Sequence, residues 1–403
     1  MTSAQRVFSI TGGHHAVTGH GSAERETSLS ILVLLGGLGV GGAEHQAIMM
    51  AGALQHRGHR VTIASLADGP LHATIDQLGI PLDVLARPLS FSPAAIPALA
   101  RTMRRRAPDV VYAFLDVQWL MALAARTMAP GARVVLGLRS CQYFQHAEGT
   151  RDRAVHHLAR RFARFADLLI ANSPAGLEDF TRFVPSAPKG IVVPNGIDPA
   201  RFSRDPGGRR MLRAEWSVPS HAVVIGHVGR LDPVKNHETL IEAVAQVARH
   251  DPRVMLVCVG NGTPARVEAL RHYAVTLGVG DRVHFLGRRD DLAAVYSAFD
   301  VLALSSVREG FPSVVAEAML CGVPAVVTNT GASADIVGAL GEVAACGDAA
   351  SLAAGLQRLI TRRSPALSAR CRLRILADYT IDRCASLTGA AFRNLIPSSR
   401  LPL

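Results

Sequence analysis

Short apolar runs alternate with helix-period stretches from residue 30 almost to the end of the chain. The runs at 31–35, 61–65, 109–114, 133–138, 168–172 and 191–194 predict strands, and the stretches at 43–56, 96–106, 119–128 and 152–165 predict helices between several of them. This alternation argues for a mostly parallel sheet with helices on both faces. The pattern breaks at 195–220, where Asn-Gly, Asp/Pro pairs and Gly207-Gly208 gather, and 201–220 reads as a linker. It then restarts, with strands expected at 222–228, 254–259, 282–286, 301–304 and 324–328. Helices are expected at 237–250, 264–277, 292–299, 313–321 and 349–360, then near 367–377 and 382–395. The fold class expected is α/β: two doubly wound, Rossmann-like domains, 29–200 and 221–380, facing a cleft that is the natural ligand site. Residues 381–403 form a final helix and tail.

Composition narrows this picture. Of 403 residues 49% are hydrophobic and only 5% aromatic, which suits cores of aliphatic layers. The net charge of +11 rests almost wholly on arginine, Lys189 and Lys235 being the two lysines. Such a surface suits nucleotide sugars or anionic membranes. With no basic tract interleaved with aromatics, nucleic acid is not an expected partner. Six scattered cysteines without a C-x-x-C pair predict buried thiols in a reduced, cytoplasmic protein and no metal site. Residues 1–28 are rich in Gly, His, Ser and Thr, lack a signal-peptide core and read as a disordered tail. No run reaches the ~18 apolar residues of a membrane span, so membrane contact is expected to be peripheral.

Three motifs carry chemistry. Gly36-Gly37-Leu38-Gly39-Val40-Gly41-Gly42 follows the first strand and opens a helix. Its bare backbone can approach a diphosphate at a helix N-terminus. The same glycines fit G-x-G-x-x-G with Asp68 as a ribose acid, so a dinucleotide and a plain tight turn both stay open on this motif alone. Gly229 to Asn236 places Arg230 and Lys235 on either side of a Pro turn, a fork and a mobile point charge for two phosphates. Glu309-Gly310-Phe311-Pro312-Ser313, followed by Glu317, places one carboxylate on a loop and the other one turn into a helix. Pro312 fits that helix's first turn, and the amides of Ser313 and Val314 would be free for an anion.

These motifs, with Asn195-Gly196-Ile197-Asp198 and Phe285-Leu286-Gly287, resemble the retaining glycosyltransferases of the GT-B fold, group 1 or family 4 type. The resemblance runs from about residue 30 to 395. It implies transfer of a sugar from a nucleotide-diphosphate donor, expected to be a UDP-sugar, to a glycan or lipid-linked acceptor in surface or envelope glycan assembly. No cofactor is implied beyond the nucleotide sugar itself, and no D-x-D metal triplet occurs. In this reading Arg230 and Lys235 neutralise the leaving diphosphate, Glu317 holds the ribose and Glu309 meets the donor sugar. The backbone of Phe311, Pro312, Ser313 and Val314 meets the sugar and β-phosphate. Gly287 and Arg288 read the base, and Gly39, Gly41 and Gly42 close over the phosphates. The last helix crosses back to the first domain. On the acceptor side, Arg139 stands where many members carry a histidine, with His146 as the substitute; Ala332 and Asp335 also depart from the common pattern. Residues 151–165 form a basic amphipathic stretch that suggests docking on an anionic membrane at the cytoplasmic face; a helix packing its apolar side on the sheet is the alternative. A dehydrogenase using the first glycine loop, an epimerase of the same fold and a catalytically silent scaffold remain the competing readings.

Overall fold

The computed structural model describes residues 27–39, 41–85, 95–141 and 149–397; the expected tail 1–28 lies almost wholly outside them. The chain divides into two compact units, residues 1–196 with 382–403, and residues 197–381.

The first unit runs β1 (Ser30–Leu35), α1 (Gly42–His56), β2 (Arg60–Ser65), α2 (His72–Gln77), β3 (Leu82–Val84), α3 (Ala95–Arg106), β4 (Val110–Phe114), α4 (Asp116–Met128), β5 (Arg133–Leu138), α5 (Thr150–Phe162), β6 (Leu168–Ala171), α6 (Pro174–Phe183) and β7 (Gly190–Val192). Its seven strands are parallel in the order β3-β2-β1-β4-β5-β6-β7. All six residues of β1 are buried, because the strand is flanked by β2 and β4 and covered on both faces. Each such Leu or Ile contributes about 1.5–3 kcal/mol of transfer free energy.

The second unit runs α7 (Pro206–Glu215), β8 (Val223–Val228), α8 (His237–Ala248), β9 (Val254–Val259), α9 (Pro264–Thr276), β10 (Val283–Phe285), α10 (Leu292–Ala298), β11 (Val301–Leu304), α11 (Ser313–Leu320), β12 (Ala325–Thr328), α12 (Ser333–Val337), β13 (Glu342–Ala344), α13 (Ala349–Arg362) and α14 (Pro365–Asp378). Its six strands are parallel in the order β10-β9-β8-β11-β12-β13. In both sheets the order reverses beside the unit's first strand, between β1 and β4 and between β8 and β11. The loops after those strands are where an open α/β sheet takes ligands.

The last helix, α15 (Ile381–Arg393), packs on the first unit from Asp382 onward. Its Phe392 ring meets Tyr112 edge-on at 5.3 Å, and Asp382 pairs with Arg57 at 2.9 Å.

The segment 201–220 is not a plain linker. Asp205 caps α7 by accepting from the Gly208 amide, and Pro206 starts the helix where its missing N–H costs nothing. Arg209 and Arg213 of α7 then pair with the largely buried Asp300 at the head of β11. This region therefore belongs to the second unit, which begins at Ile197.

Candidate functional site

The β8 and β11 loops lie side by side and are laced together. The Val307 amide donates to the Val234 carbonyl at 2.9 Å, and the Ser305 hydroxyl donates to the Lys235 carbonyl at 2.7 Å. Lys235 closes a short 3-10 turn that begins at Pro233. Its ammonium reaches Oε1 of Glu309 at 2.6 Å, with the two side chains only 19% and 12% exposed. The Ser306 hydroxyl donates to the same Oε1 at 2.7 Å. Oε2 of Glu309 takes no hydrogen bond from the described residues. The Glu309 amide in turn donates to Oγ1 of Thr330 at 3.0 Å.

Two glycines make this close packing possible. Gly331 sits at φ +56°, where a Cβ would stand 2.4 Å from the Glu309 carbonyl oxygen. Gly260, at φ +147°, would place a Cβ 1.9 Å from the carbonyl oxygen of Gly229. Any side chain at either position would force the site loops apart.

After Glu309 the chain enters α11 through Phe311 and Pro312. Phe311 is buried, its ring 5.7 Å from that of Tyr379. Pro312 does not lie inside the first turn, as the sequence suggested. With ψ at 89° it is the N-cap residue, and Ser313 is the first helical one. No side chain caps this end. The amides of Ser313 and Val314 therefore have no partner within the helix, and the positive end of its dipole is open. Glu317, one turn on, accepts from the Tyr296 hydroxyl at 2.6 Å through Oε2. Burial raises the Glu317 carboxyl above the usual carboxylate range, against the lowering effect of that hydrogen bond and of Arg201. Burial and the neighbouring Glu317 push the Tyr296 phenol well up, so it stays a donor.

The remaining second-unit candidates surround these two loops. Arg230 is 81% exposed and pairs with Asp232 at 2.9 Å, so it shares a loop with Lys235 without joining the Lys235–Glu309 pair. The Gly287 carbonyl, at a residue with φ +70°, accepts from the Gly260 amide at 2.8 Å. The Arg288 amide donates to Asn261, whose carbonyl holds the Leu231 amide. The loops after β8, β9 and β10 thus form one hydrogen-bonded rim.

In the first unit the Gly41 amide donates to the Gly39 carbonyl at 2.9 Å, and Gly42 opens α1. Arg139 follows β5 directly and is half-buried. Its guanidinium donates to Asn195 at 3.2 Å and to the Tyr112 hydroxyl, and stacks 4.4 Å from the Phe114 ring centroid. His146 lies outside the described residues.

Sequence reasoning missed the groups that aim these residues: Tyr296, Ser305, Ser306 and Thr330. The one available signal was a pair of serines ending an apolar strand. It also missed a buried histidine pair, His227 and His237, with ring centroids 4.5 Å apart. Burial lowers His227 well below the ordinary histidine range and takes His237 down to about 4. Among the described residues no group of three or more His, Cys, Asp or Glu could hold a metal, and no helix is long and apolar enough to cross a membrane.

Known proteins resemble this chain in sequence and in fold. Residues 40–201 match the family described as Glycosyltransferase Family 4, and residues 222–362 match Glycosyl transferases group 1. The chain is 39% identical over 176 residues to a D-inositol 3-phosphate glycosyltransferase of Corynebacterium efficiens. That match covers 41% of each chain, so it spans under half the relative's length. Among solved structures, Anabaena HepE in complex with UDP superposes with a TM-score of 0.80 at 25% identity, covering 91% of this chain and 100% of that one. The sucrose-phosphate synthase of Thermosynechococcus elongatus, at 23% identity and a TM-score of 0.76 over 91% and 99% of the two chains, shares the fold. The chain belongs to the group 1, family 4 type of glycosyltransferases with the GT-B fold.

Proposed function

We propose that this protein transfers a sugar, with retention of anomeric configuration, from a UDP-sugar to a glycan or lipid-linked acceptor in cell-surface or envelope glycan assembly, working at the cytoplasmic face of a membrane. The observation that carries this reading is the Lys235–Glu309 pair at the β8/β11 reversal, in the same unit as an uncapped helix N-terminus. A solved relative, Anabaena HepE, has been crystallised in complex with UDP and with UDP-glucose.

In this reading Lys235 exchanges its carboxylate partner for the donor's diphosphate, and the solvent-exposed Arg230 turns in as the second cation. The Ser313 and Val314 amides receive the β-phosphate. The unbonded Oε2 of Glu309 accepts from sugar hydroxyls and steadies positive charge at the anomeric carbon. Glu317, aimed by Tyr296, accepts from the ribose. Gly287 and Arg288 border the base, and the glycine turn at Gly39, Gly41 and Gly42 offers further amides. As the glycosidic C–O bond breaks, the departing phosphate oxygen takes the acceptor hydroxyl's proton on the same face. Arg139 lies on the acceptor side.

A thermal-shift screen against UDP-, GDP- and ADP-sugars tests the donor assignment; no stabilisation by any of them overturns it. Proton NMR of the product reads the anomeric outcome, and an inverted linkage removes retention. Conversion of the donor sugar without acceptor would point to epimerisation instead.

A further inference from the structure

The first unit's sheet reverses its order between β1 and β4, and the backbone is strained at that point. Leu115, directly after β4, sits at φ +66° and ψ 165°, a region that only glycine enters freely. Strain of this kind persists where a site needs the chain to turn one way. Here it turns the chain straight into α4, a 13-residue helix whose first residue is Asp116. No side chain caps this end, so the amides of Asp116, Val117 and Gln118 have no partner within the helix.

Gln118 is an independent sign of a ligand. The residue is only 5% exposed, yet its carboxamide makes no hydrogen bond with any described residue. It is aimed at Gly36, the first residue after β1, where a Cβ would stand 2.7 Å from Gln118 Nε2. A buried carboxamide without partners destabilises a fold, so packing alone does not explain a glutamine here.

The groups around it select the ligand. Asp116 already occupies the positive end of α4 with its own carboxylate, which pairs with His156 at 3.0 Å, the histidine and aspartate side chains being 19% and 17% exposed. A phosphate or carboxylate ligand would meet that charge directly. A carboxamide, free amides and a carboxylate side by side are the donors and acceptors that sugar hydroxyls need. The turn also adjoins Arg139. Phe114, the residue before Leu115, pairs with Gly137 of β5, and its ring centroid lies 4.4 Å from the Arg139 guanidinium.

We propose that the β4–α4 turn is a subsite for the uncharged, hydroxyl-rich sugar of the acceptor, with the Gln118 carboxamide as its chief polar contact and Asp116 and the first-turn amides beside it. This rests on the reading of a glycan acceptor and gives that acceptor a place on the first unit.

The test is saturation-transfer NMR on the full chain, with and without UDP. The probes are the methyl glycosides of glucose, galactose and mannose, with glucose-6-phosphate as the charged control. Binding of at least one methyl glycoside is expected. It should weaken by about tenfold in Gln118→Met, as loss of the carboxamide's hydrogen bonds would cause. Gly36→Ala should have the same effect by pushing the carboxamide aside, and combining the two should add little. A carboxamide that served only the fold would lower the melting temperature of Gln118→Met when lost. The proposal expects that temperature unchanged or higher, because an unpartnered buried polar group is removed. No binding of any glycoside, unweakened binding by both variants, a destabilised Gln118→Met, or tighter binding of glucose-6-phosphate than of the methyl glucoside each overturns the proposal. A protein that binds a glycoside through Gln118 but whose melting temperature does not shift with UDP counts instead against the donor reading alone.

Discussion

Lys235 places its ammonium 2.6 Å from Oε1 of Glu309, although 74 residues separate them in sequence. Both side chains are largely buried, and in the proposed reading the donor's diphosphate opens this pair. Removing either half of a largely buried pair leaves the other uncompensated. Lys235→Ala is expected to weaken UDP binding by about tenfold or more, as loss of one charge-assisted bond would, read by isothermal titration calorimetry. Glu309→Gln frees the ammonium. It should bind UDP at least as tightly as the unaltered protein while transfer falls on the order of 100-fold. A Glu309→Gln protein with unaltered turnover would contradict the part given to Glu309.

The Tyr296 hydroxyl donates to Glu317, and its removal should loosen the carboxylate without unfolding the protein. Tyr296→Phe keeps the ring packing against Phe202 and Phe299. The expected result is a rise in donor KM of about fivefold, the size of one net hydrogen bond, with kcat little changed. Glu317→Ala should cost more in KM than Tyr296→Phe. Equal KM values for all three proteins would remove the ribose assignment.

Gly331→Ala tests the seam between the β11 and β12 loops. Its left-handed backbone disfavours any side chain by about 1–2 kcal/mol, and the new methyl would press on the Glu309 carbonyl. Chemical denaturation should show a loss of at least that size, accompanied by weaker UDP binding. Full stability in this variant would mean that the loops yield readily.

The buried histidine pair makes stability depend on pH. His237 is held down to about 4 in the folded protein, against about 6.5 in an unfolded chain. Between those values the unfolded chain binds more protons, so folding weakens as the pH falls and is unaffected above about 6.5. His227 shifts in the same direction. The expected slope is about 1.4 kcal/mol per pH unit for each histidine. Denaturant midpoints at several pH values measure it, and His237→Leu should flatten the slope. An unchanged slope in that variant would show that His237 does not titrate on unfolding.

Much of this was legible because parallel strands buried on both faces leave unbroken apolar runs, as in residues 301–304 and 254–259. The charged site residues were legible because glycine and proline bracket them at strand ends. What stayed hidden depends on partners far along the chain. The three-residue strands β3 and β13 are too short to show a period. Helix α7 looked like linker because its Gly-Gly-Arg-Arg start makes sense only against Asp300, about 90 residues later. Tyr296 reads as one more apolar residue until its hydroxyl is seen beside Glu317. The exposure of Leu158 and Phe162, at 45% and 40%, is equally invisible, since their spacing suits a core helix as well as an open face.

The way the second unit starts and stops has a practical consequence. The Ile197 amide donates to the Tyr379 carbonyl at 2.8 Å, and the Ile381 amide donates back to Ile197 at 2.9 Å. Residues 197–381 therefore form a cassette whose two ends are already stitched to each other, inserted into a chain that resumes with the first unit's last helix. Cutting at 381 would leave the cassette whole and strip the first unit of the helix that covers Tyr112 and Arg57. The excisable piece of this protein is its middle.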